Sequence, residues 1–139
     1  MPHPVPYLSF AGNCAEAMTF YAEALAGELE RVVRAGETPM AEHFQANPDV
    51  VVHARLRLPD GGLLFGGDAC GPVPYEGIKG VSITLNYDSV AEAERAFHAL
   101  AARAEVVMPL QPTFWARTWG MLADRYGTPW IINGELLPD

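Results

Sequence analysis

The chain has little cysteine, no long apolar run and few basic residues. Its two cysteines, Cys14 and Cys70, belong to no Cys-x-x-Cys or Cys/His cluster, so free thiols rather than a zinc centre are expected. Glycine, proline or charge interrupts every apolar stretch, so no segment is expected to cross a membrane. The first residues, Met-Pro-His-Pro-Val-Pro, lack the layout of a signal peptide, which predicts a cytoplasmic protein.

The scarcity of basic residues makes the chain acidic. Nine Lys and Arg residues against 17 Asp and Glu residues give a formal net charge of −8. A protein that binds a nucleic-acid duplex needs a basic surface to neutralise phosphates, so no nucleic-acid partner is expected. No glycine-rich loop follows a predicted strand, which argues against a site for S-adenosylmethionine.

What the chain does have is a repeated pattern of hydrophobicity. Its 139 residues fit one domain over 1–139, and half of them are hydrophobic, enough for a sizeable core. The pattern predicts strand, helix and three strands, and then the same order again. The first unit is expected over about 4–69, a linker over 69–79 and the second unit over 80–135. The predicted strands are Val5–Phe10, Glu28–Ala35, Val50–Leu58, Leu63–Asp68, Val81–Tyr87, Glu105–Met108, Thr118–Arg125 and Pro129–Asn133.

Each predicted helix begins with a capping sequence. Asn13 and Ser89 are the expected N-caps, and Glu16 and Glu92 stand three residues later at the capping-box position. The first helix is expected to stop at Gly27, a residue type suited to a helix C-terminus. The caps and the apolar positions of the two helices match at a constant offset, which predicts a tandem repeat.

Several motifs extend over nearly the whole chain. They are Tyr7-Leu8-Ser9-Phe10, Gly12-Asn13, Ala17-Met18, Phe20-Tyr21, His53-Ala54-Arg55-Leu56, Met108-Pro109-Leu110-Gln111, Thr113-Phe114-Trp115, Trp119-Gly120-Met121, Asp124-Arg125-Tyr126-Gly127 and Pro129-Trp130. With these motifs in two tandem β-α-β-β-β units, the chain resembles the PhnB-like branch of the vicinal oxygen chelate superfamily. That superfamily includes glyoxalases, bleomycin-resistance proteins and extradiol dioxygenases. The resemblance implies an α+β fold, a curved mixed sheet around a cup with the helices outside, and a homodimer.

Metal-using members of this superfamily place His, Glu or Gln on the first and last strand of each unit, pointing into the cup. The resemblance puts these positions near Pro6, Ser82, Ile131 and either Phe65 or Gly66. Such a metal site requires imidazole nitrogens or carboxylate oxygens, and these residues offer neither. No metal and no other cofactor is therefore expected.

The predicted strand 50–58 has two different faces. One face carries Val50, Val52, Ala54, Leu56 and Leu58, and the other carries Val51, His53, Arg55 and Arg57. The basic face is expected to line the cup, where Arg55 and His53 could bind an anionic or carbonyl-bearing ligand. The alternative is structural, with an ion pair from Arg55 to Asp68 or Glu42 and a backbone hydrogen bond for His53.

Small polar side chains follow one face of the fifth predicted strand. Ser82, Thr84 and Asn86 alternate there with apolar residues and are expected in the cup. They either orient a ligand through hydrogen bonds or bind water.

All three tryptophans lie near the C-terminus. Trp115 and Phe114 fall in a long predicted loop, Pro109–Arg117, and are expected to be buried by the cup, the core or a second subunit. Trp119 is assigned to either core or cup, and Trp130 is expected in the core.

Three functions remain open at this point. The first, and the favoured one, is a metal-free homodimer that binds a small molecule; its expected contacts are His53, Arg55, Ser82, Thr84, Trp115 and Trp119. The second is a divergent metal-dependent lyase, isomerase or dioxygenase-type enzyme that uses His53 or Asp68 as acid or base. The third is a structural dimer with a vestigial cup.

Overall fold

Both halves of the chain fold as strand, helix and three strands, which confirms the predicted repeat. The computed structural model describes residues 2–69 and 74–138, and the chain divides into two compact units, Met1–Gly77 and Ile78–Asp139. The elements are β1 (Tyr7–Phe10), α1 (Cys14–Ala24), β2 (Glu28–Arg34), β3 (Val51–Arg57), β4 (Leu63–Asp68), β5 (Ile83–Tyr87), α2 (Val90–Ala101), β6 (Glu105–Gln111), β7 (Ala116–Ala123) and β8 (Pro129–Leu136). Two short 3₁₀ helices, Ala35–Glu37 and Pro39–Phe44, occupy the connection between β2 and β3.

Each unit forms its own four-stranded mixed sheet. The strand order is β1-β4-β3-β2 in unit one and β5-β8-β7-β6 in unit two. The first and last strands of each unit, β1 with β4 and β5 with β8, pair in parallel, and the other neighbours are antiparallel. A parallel pair needs a long crossover connection, and the α-helix is part of it in both units.

The core of each unit lies between its helix and one face of its sheet. In unit one, Met18 and Tyr21 of α1 are fully buried together with Phe10, Leu56 and Leu64. Burial of one side chain of this size stabilises the folded state by roughly 1.5–3 kcal/mol relative to leaving that side chain exposed. No helix among residues 2–69 and 74–138 is long and apolar enough to cross a membrane.

Unit two packs α2 closely against its two central strands. Ala96 and Phe97 of α2 and Trp130 and Ile132 of β8 are buried there. A Cβ atom on Gly134 would lie 2.7 Å from the Cβ of Ala93, so the strand must carry glycine at that point. The backbone of β8 therefore approaches α2 more closely than a larger residue would permit.

The caps of the two helices differ, although their sequences match. Ser89 Oγ accepts a hydrogen bond from the Glu92 amide at 3.2 Å, as predicted for α2. Asn13 occupies the N-cap position of α1, but its side chain makes no capping hydrogen bond. The Cys14 amide instead donates to Asp68 Oδ1, at the end of β4, at 2.9 Å. The side-chain cap of α1 therefore comes from a distant strand, which local sequence cannot reveal.

The C-terminus of α1 also differs from the prediction. Ala26, rather than Gly27, adopts the left-handed conformation, with φ of 55°. The Gly27 amide donates to the Ala22 carbonyl at 2.9 Å, which closes the helix in a Schellman-type arrangement. Gly27 is required for another reason: a Cβ there would lie 2.8 Å from the Arg57 carbonyl oxygen.

Two strand boundaries change the interpretation of the second unit. β6 continues to Gln111, and β7 begins at Ala116. The connection between them is therefore only 112–115, so the long loop predicted over Pro109–Arg117 is wrong. The corresponding connection in unit one is longer, so the two are not equivalent.

Candidate functional site

Each sheet has a second face on which the unit's own helix does not pack, called here the helix-free face. Residues on this face can be identified from the glycines on the other one. Cβ atoms added at Gly66, Gly120 and Gly134 would approach Met18, Phe97 and Ala93 of the helices, so those positions face a helix. Since side chains alternate along a strand, their direct neighbours lie on the helix-free face.

The helix-free face of unit one carries an aromatic cluster around His53. The His53 ring lies 5.0 Å from Phe65 in an edge-on arrangement and 6.5 Å from Tyr7, between ring centroids. Tyr7 Oη donates to the Val52 carbonyl at 3.0 Å, and the Tyr7 ring reaches over Gly67, where a Cβ would clash. Among the described residues His53 has ring contacts but no hydrogen bond, so the backbone hydrogen bond of the structural alternative is not found among them.

The alternation predicted for strand 50–58 breaks at its beginning. His53 pairs with Val33 and Val51 with Arg34, so Val52 is an extra residue, a β-bulge. Val51 is consequently buried, where Val52 was expected, while Ala54 and Leu56 are buried as predicted. The bulge leaves His53 and Arg55 on the helix-free face.

The ion pair expected for Arg55 exists, but its acidic partner is neither Asp68 nor Glu42. Arg55 Nε and Arg57 Nε lie 2.9 Å from the two carboxylate oxygens of Glu30. Glu30 is itself an extra residue in β2, between Leu29 and Arg31, and this irregularity was not visible in the sequence. Arg57 Nε donates a hydrogen bond to Glu30, whereas Arg55 Nε is in ion-pair contact with Glu30 without a hydrogen bond.

Electrostatics follow this arrangement. The hydrogen bond from Arg57, followed by the charges of both arginines, holds the pKa of Glu30 below its ordinary value. The same hydrogen bond raises the pKa of Arg57. Glu30 therefore stays ionised, and two guanidinium groups share one carboxylate. Arg55, Arg57 and Glu30 together carry one net positive charge, and Glu28 adds a negative charge that acts on Arg57.

Asp68, the second weak catalytic candidate, is held by backbone hydrogen bonds. Its Oδ1 accepts from the Cys14 amide and its Oδ2 from the Val51 amide, both at 2.9 Å. The carboxylate thus joins the start of α1 to the bulged start of β3. This geometry gives Asp68 a structural role, and its carboxylate does not meet His53 or Arg55 in any hydrogen bond or ion pair among the described residues.

Cys14 lies at the same junction. Its side chain is fully buried, and burial, followed by the charge of Asp68, raises the pKa of the thiol to about 12. The thiol therefore stays protonated at neutral pH, which makes it a poor nucleophile. Cys70 and the start of the predicted linker lie outside the described residues.

The helix-free face of unit two carries a chain of hydrogen bonds that starts at Trp115. Trp115 Nε1 donates to Asn133 Oδ1 at 3.1 Å, and Asn133 Nδ2 donates to Asn86 Oδ1 at 3.0 Å. Trp115 and Trp119 meet edge-on, with ring centroids 5.4 Å apart. Both tryptophans are half-buried. We call Trp115, Asn133 and Asn86 the amide relay.

The polar residues of the fifth strand occupy the expected face. Thr84 pairs with Ile131 and Asn86 with Asn133, and both Thr84 and Asn86 are exposed. Ser82 precedes β5 and is half-buried. Asn133 was missed, although a polar amide within the apolar strand Trp130–Asn133 was a usable signal.

The expectation that Phe114 is buried does not hold within this chain. Its side chain is 89% exposed, and it meets Trp115 edge-on at 4.9 Å between ring centroids. Trp130, by contrast, is fully buried, which confirms its place in the core. Its indole N–H donates to Asp124 Oδ2 at 2.8 Å, and Asp124 Oδ1 accepts from the amides of Tyr126 and Thr128.

The positions where relatives hold a metal do not fit one here. Tyr7 and Phe65 pair across β1 and β4 on the helix-free face, so Tyr7 rather than Pro6, and Phe65 rather than Gly66, face that way. In unit two Ile131 is on this face, beside Thr84. These side chains lack imidazole or carboxylate groups, and in residues 2–69 and 74–138 no three His, Cys, Asp or Glu side chains converge.

Two β-α-β-β-β units, each with its first and last strands paired in parallel, define the vicinal oxygen chelate fold. The model of the glyoxalase/bleomycin resistance protein/dioxygenase superfamily matches residues 3–132. The chain belongs to this superfamily, and the resemblance recognised in its sequence is confirmed.

Three known proteins are similar to the chain over most of its length. It is 35% identical to protein YjdN of Escherichia coli strain K12 over 137 residues, which cover 92% of either chain. It is 47% identical to the crystal structure of protein PA1353 from Pseudomonas aeruginosa, with a TM-score of 0.86 and 96% and 97% of the two chains covered. The PhnB protein from Bacillus cereus shares the fold, at 24% identity and a TM-score of 0.77 over 95% and 98% of the chains.

Proposed function

We propose that this protein binds a small organic molecule through its helix-free faces, without a metal ion. The observation that carries the proposal is the pair Trp115 and Trp119 on unit two. Both rings are half-buried, and the hydrogen bond to Asn133 fixes the Trp115 ring. Large aromatic side chains held in one conformation lose little entropy when a ligand covers them.

Unit one has a polar surface of its own on its helix-free face. Arg55 remains 40% exposed although it pairs with Glu30, so part of its side chain stays accessible to a ligand. A ligand oxygen that carries negative charge or a strong dipole would be attracted to this surface. The His53 ring adjoins it and has no hydrogen-bond partner among the described residues, so its nitrogens are available to a ligand.

The residues at the positions where metal-using relatives carry metal ligands support binding by shape and hydrogen bonds rather than by metal coordination. Tyr7, Phe65 and Ile131 present a phenol, a phenyl ring and an alkyl chain on the helix-free faces. Such surfaces favour contacts with apolar rings.

A fragment screen by NMR tests the proposal, with the three indole N–H signals as reporters. Tag-free protein, treated with a chelator, is titrated with small aromatic fragments. Trp115 and Trp119 are expected to shift, whereas Trp130, buried and bonded to Asp124, serves as the internal control and stays in place. If no fragment moves the first two signals, the binding function is wrong.

The contribution of unit one is tested by His53→Ala. Its ring makes two aromatic contacts and no hydrogen bond among the described residues, so its loss should change the melting temperature little. Because its nitrogens are available to a ligand, its loss should weaken the binding of aromatic fragments that carry an acceptor oxygen. Thermal unfolding and fragment titration separate these effects. A large loss of stability with unchanged binding would instead give His53 a structural role.

A further inference from the structure

The two hydrogen bonds of the amide relay run in one direction from donor to acceptor, and the Trp115 indole sets that direction. A tryptophan Nε1–H can only donate, so the atom of Asn133 that faces it must be the oxygen. The nitrogen of the Asn133 amide then faces Asn86, whose oxygen must accept. Each amide orientation therefore follows from the one before it, starting at Trp115.

The last group of the relay is consequently a donor. Asn86 Oδ1 is engaged by Asn133, and its NH₂ group has no acceptor among the described residues. Asn86 is exposed on β5, and exposed Thr84 lies two residues earlier on the same face. Thr84 and Asn86 thus present a hydroxyl and an amide NH₂ from positions whose Cα atoms are about 7 Å apart along the strand. We call this pair the donor end.

Two neighbours of the donor end are apolar. Ile131 lies beside Thr84, and the Trp119 ring lies beyond Asn133, with which Trp119 pairs across β7 and β8. The charged groups Arg117 and Glu135 pair with each other at 2.9 Å and are well exposed. A full charge on the ligand would find no fixed counter-charge in the relay.

We propose that the donor end is the polar anchor for a neutral ligand that has a flat ring and a carbonyl-type acceptor oxygen. The oxygen accepts from Asn86 Nδ2, and the ring covers Ile131 and the exposed part of Trp119. This inference rests on the proposed binding function and adds the ligand class and the specificity-determining residue. Asn86 selects for a ligand with a hydrogen-bond acceptor, because Asn86 Oδ1 already accepts from Asn133 and only the NH₂ group is left to bind the ligand.

A pair of probes tests the polarity of the relay. Acetophenone has a flat ring and a carbonyl oxygen, and ethylbenzene has a similar shape without an acceptor. Both are titrated into the chelator-treated protein, and the shifts of the Trp115 and Trp119 indole signals are fitted. Acetophenone should bind about two- to tenfold more tightly than ethylbenzene, because that is the gain in affinity expected from one hydrogen bond between neutral groups.

Two variants reverse the polarity without removing the site. In Asn86→Asp the carboxylate still accepts from Asn133 but offers no donor. Acetophenone should then bind no more tightly than ethylbenzene. The cation benzamidine should bind this variant more tightly than it binds the wild type. In Asn133→Asp the carboxylate accepts from both neighbours, so the Asn86 amide turns and presents its oxygen; acetophenone should weaken similarly. Asn13→Asp, on the exposed cap of α1, is the matched control and leaves the probe affinities unchanged.

The outcomes separate the two proposals. Equal acetophenone affinity in the wild type and in both relay variants would overturn the role of the donor end while leaving binding by the face intact. Failure of every probe to move the Trp115 and Trp119 signals of the wild type would overturn both. The unchanged Trp130 signal verifies in each case that the variant is folded.

Discussion

At the scale of single residues, several side chains that could perform chemistry perform structural work instead. Asp68 is the clearest case, since both carboxylate oxygens accept backbone hydrogen bonds from Cys14 and Val51. Asp124 does the same for the turn before β8 and for Trp130. The role of Asp68 could not be deduced from sequence, because its donors lie 54 and 17 residues away, whereas the donors to Asp124 are local.

Replacement of Asp68 by Asn is expected to lower the free energy of unfolding by about 1–3 kcal/mol, because the new NH₂ group would face a backbone N–H that has lost its acceptor. Urea unfolding measures this loss. Asp60→Asn is the control: Asp60 accepts only from the nearby Gly62 amide in an exposed turn, where asparagine serves equally well. Equal effects of the two substitutions would contradict the structural role of Asp68.

At the scale of the elements, most of the secondary structure follows from the sequence. The alternation of β3 and the Ser89 cap were sufficient to place those elements within a residue or two. The bulges at Glu30 and Val52 were not predictable, because they depend on pairing between β2 and β3. The ion pair of Arg55 was consequently predicted with the wrong acid, since a bulge decides where Glu30 points.

The two helix caps give a matched comparison. Ser89→Ala removes the side-chain acceptor of the Glu92 amide and should destabilise unit two by about 1 kcal/mol. Asn13→Ala removes no capping hydrogen bond and should change stability by less than about 0.5 kcal/mol. Both values come from urea unfolding monitored by circular dichroism. A larger loss for Asn13→Ala than for Ser89→Ala would contradict the assignment of the α1 cap to Asp68.

At the scale of the whole molecule, motifs in the sequence identified the superfamily, and residues 3–132 match its model. The candidate site was predicted only in part. Strand alternation placed His53, Arg55 and Thr84 on the correct faces, whereas the amide relay needs Asn133, whose two partners come from two other segments of unit two. The polar amide of Asn133 in an apolar strand was visible in the sequence, but its two partners are set by tertiary packing.

We propose that the protein forms a homodimer, and exposed apolar residues on unit two support this proposal. Phe114 is 89% exposed and Leu136 is 51% exposed, near the same end of the sheet because Leu136 pairs with Ala116. Phe114→Ser should therefore reduce self-association in sedimentation velocity while the protein stays folded. Val81→Ser is the control, since Val81 is similarly exposed but precedes β5. Unchanged association of Phe114→Ser would remove this surface from the interface.

The most direct test of metal-independent binding is one dissociation constant measured twice. Tag-free protein is treated with a chelator, and its affinity for a fragment that shifts the Trp119 indole signal is measured before and after the addition of Zn²⁺, Mn²⁺ or Ni²⁺. Tyr7, Phe65 and Ile131 supply no metal ligands of the kind used by metal-dependent relatives, so the two constants should agree. Binding that appears only after metal is added would contradict the proposed function.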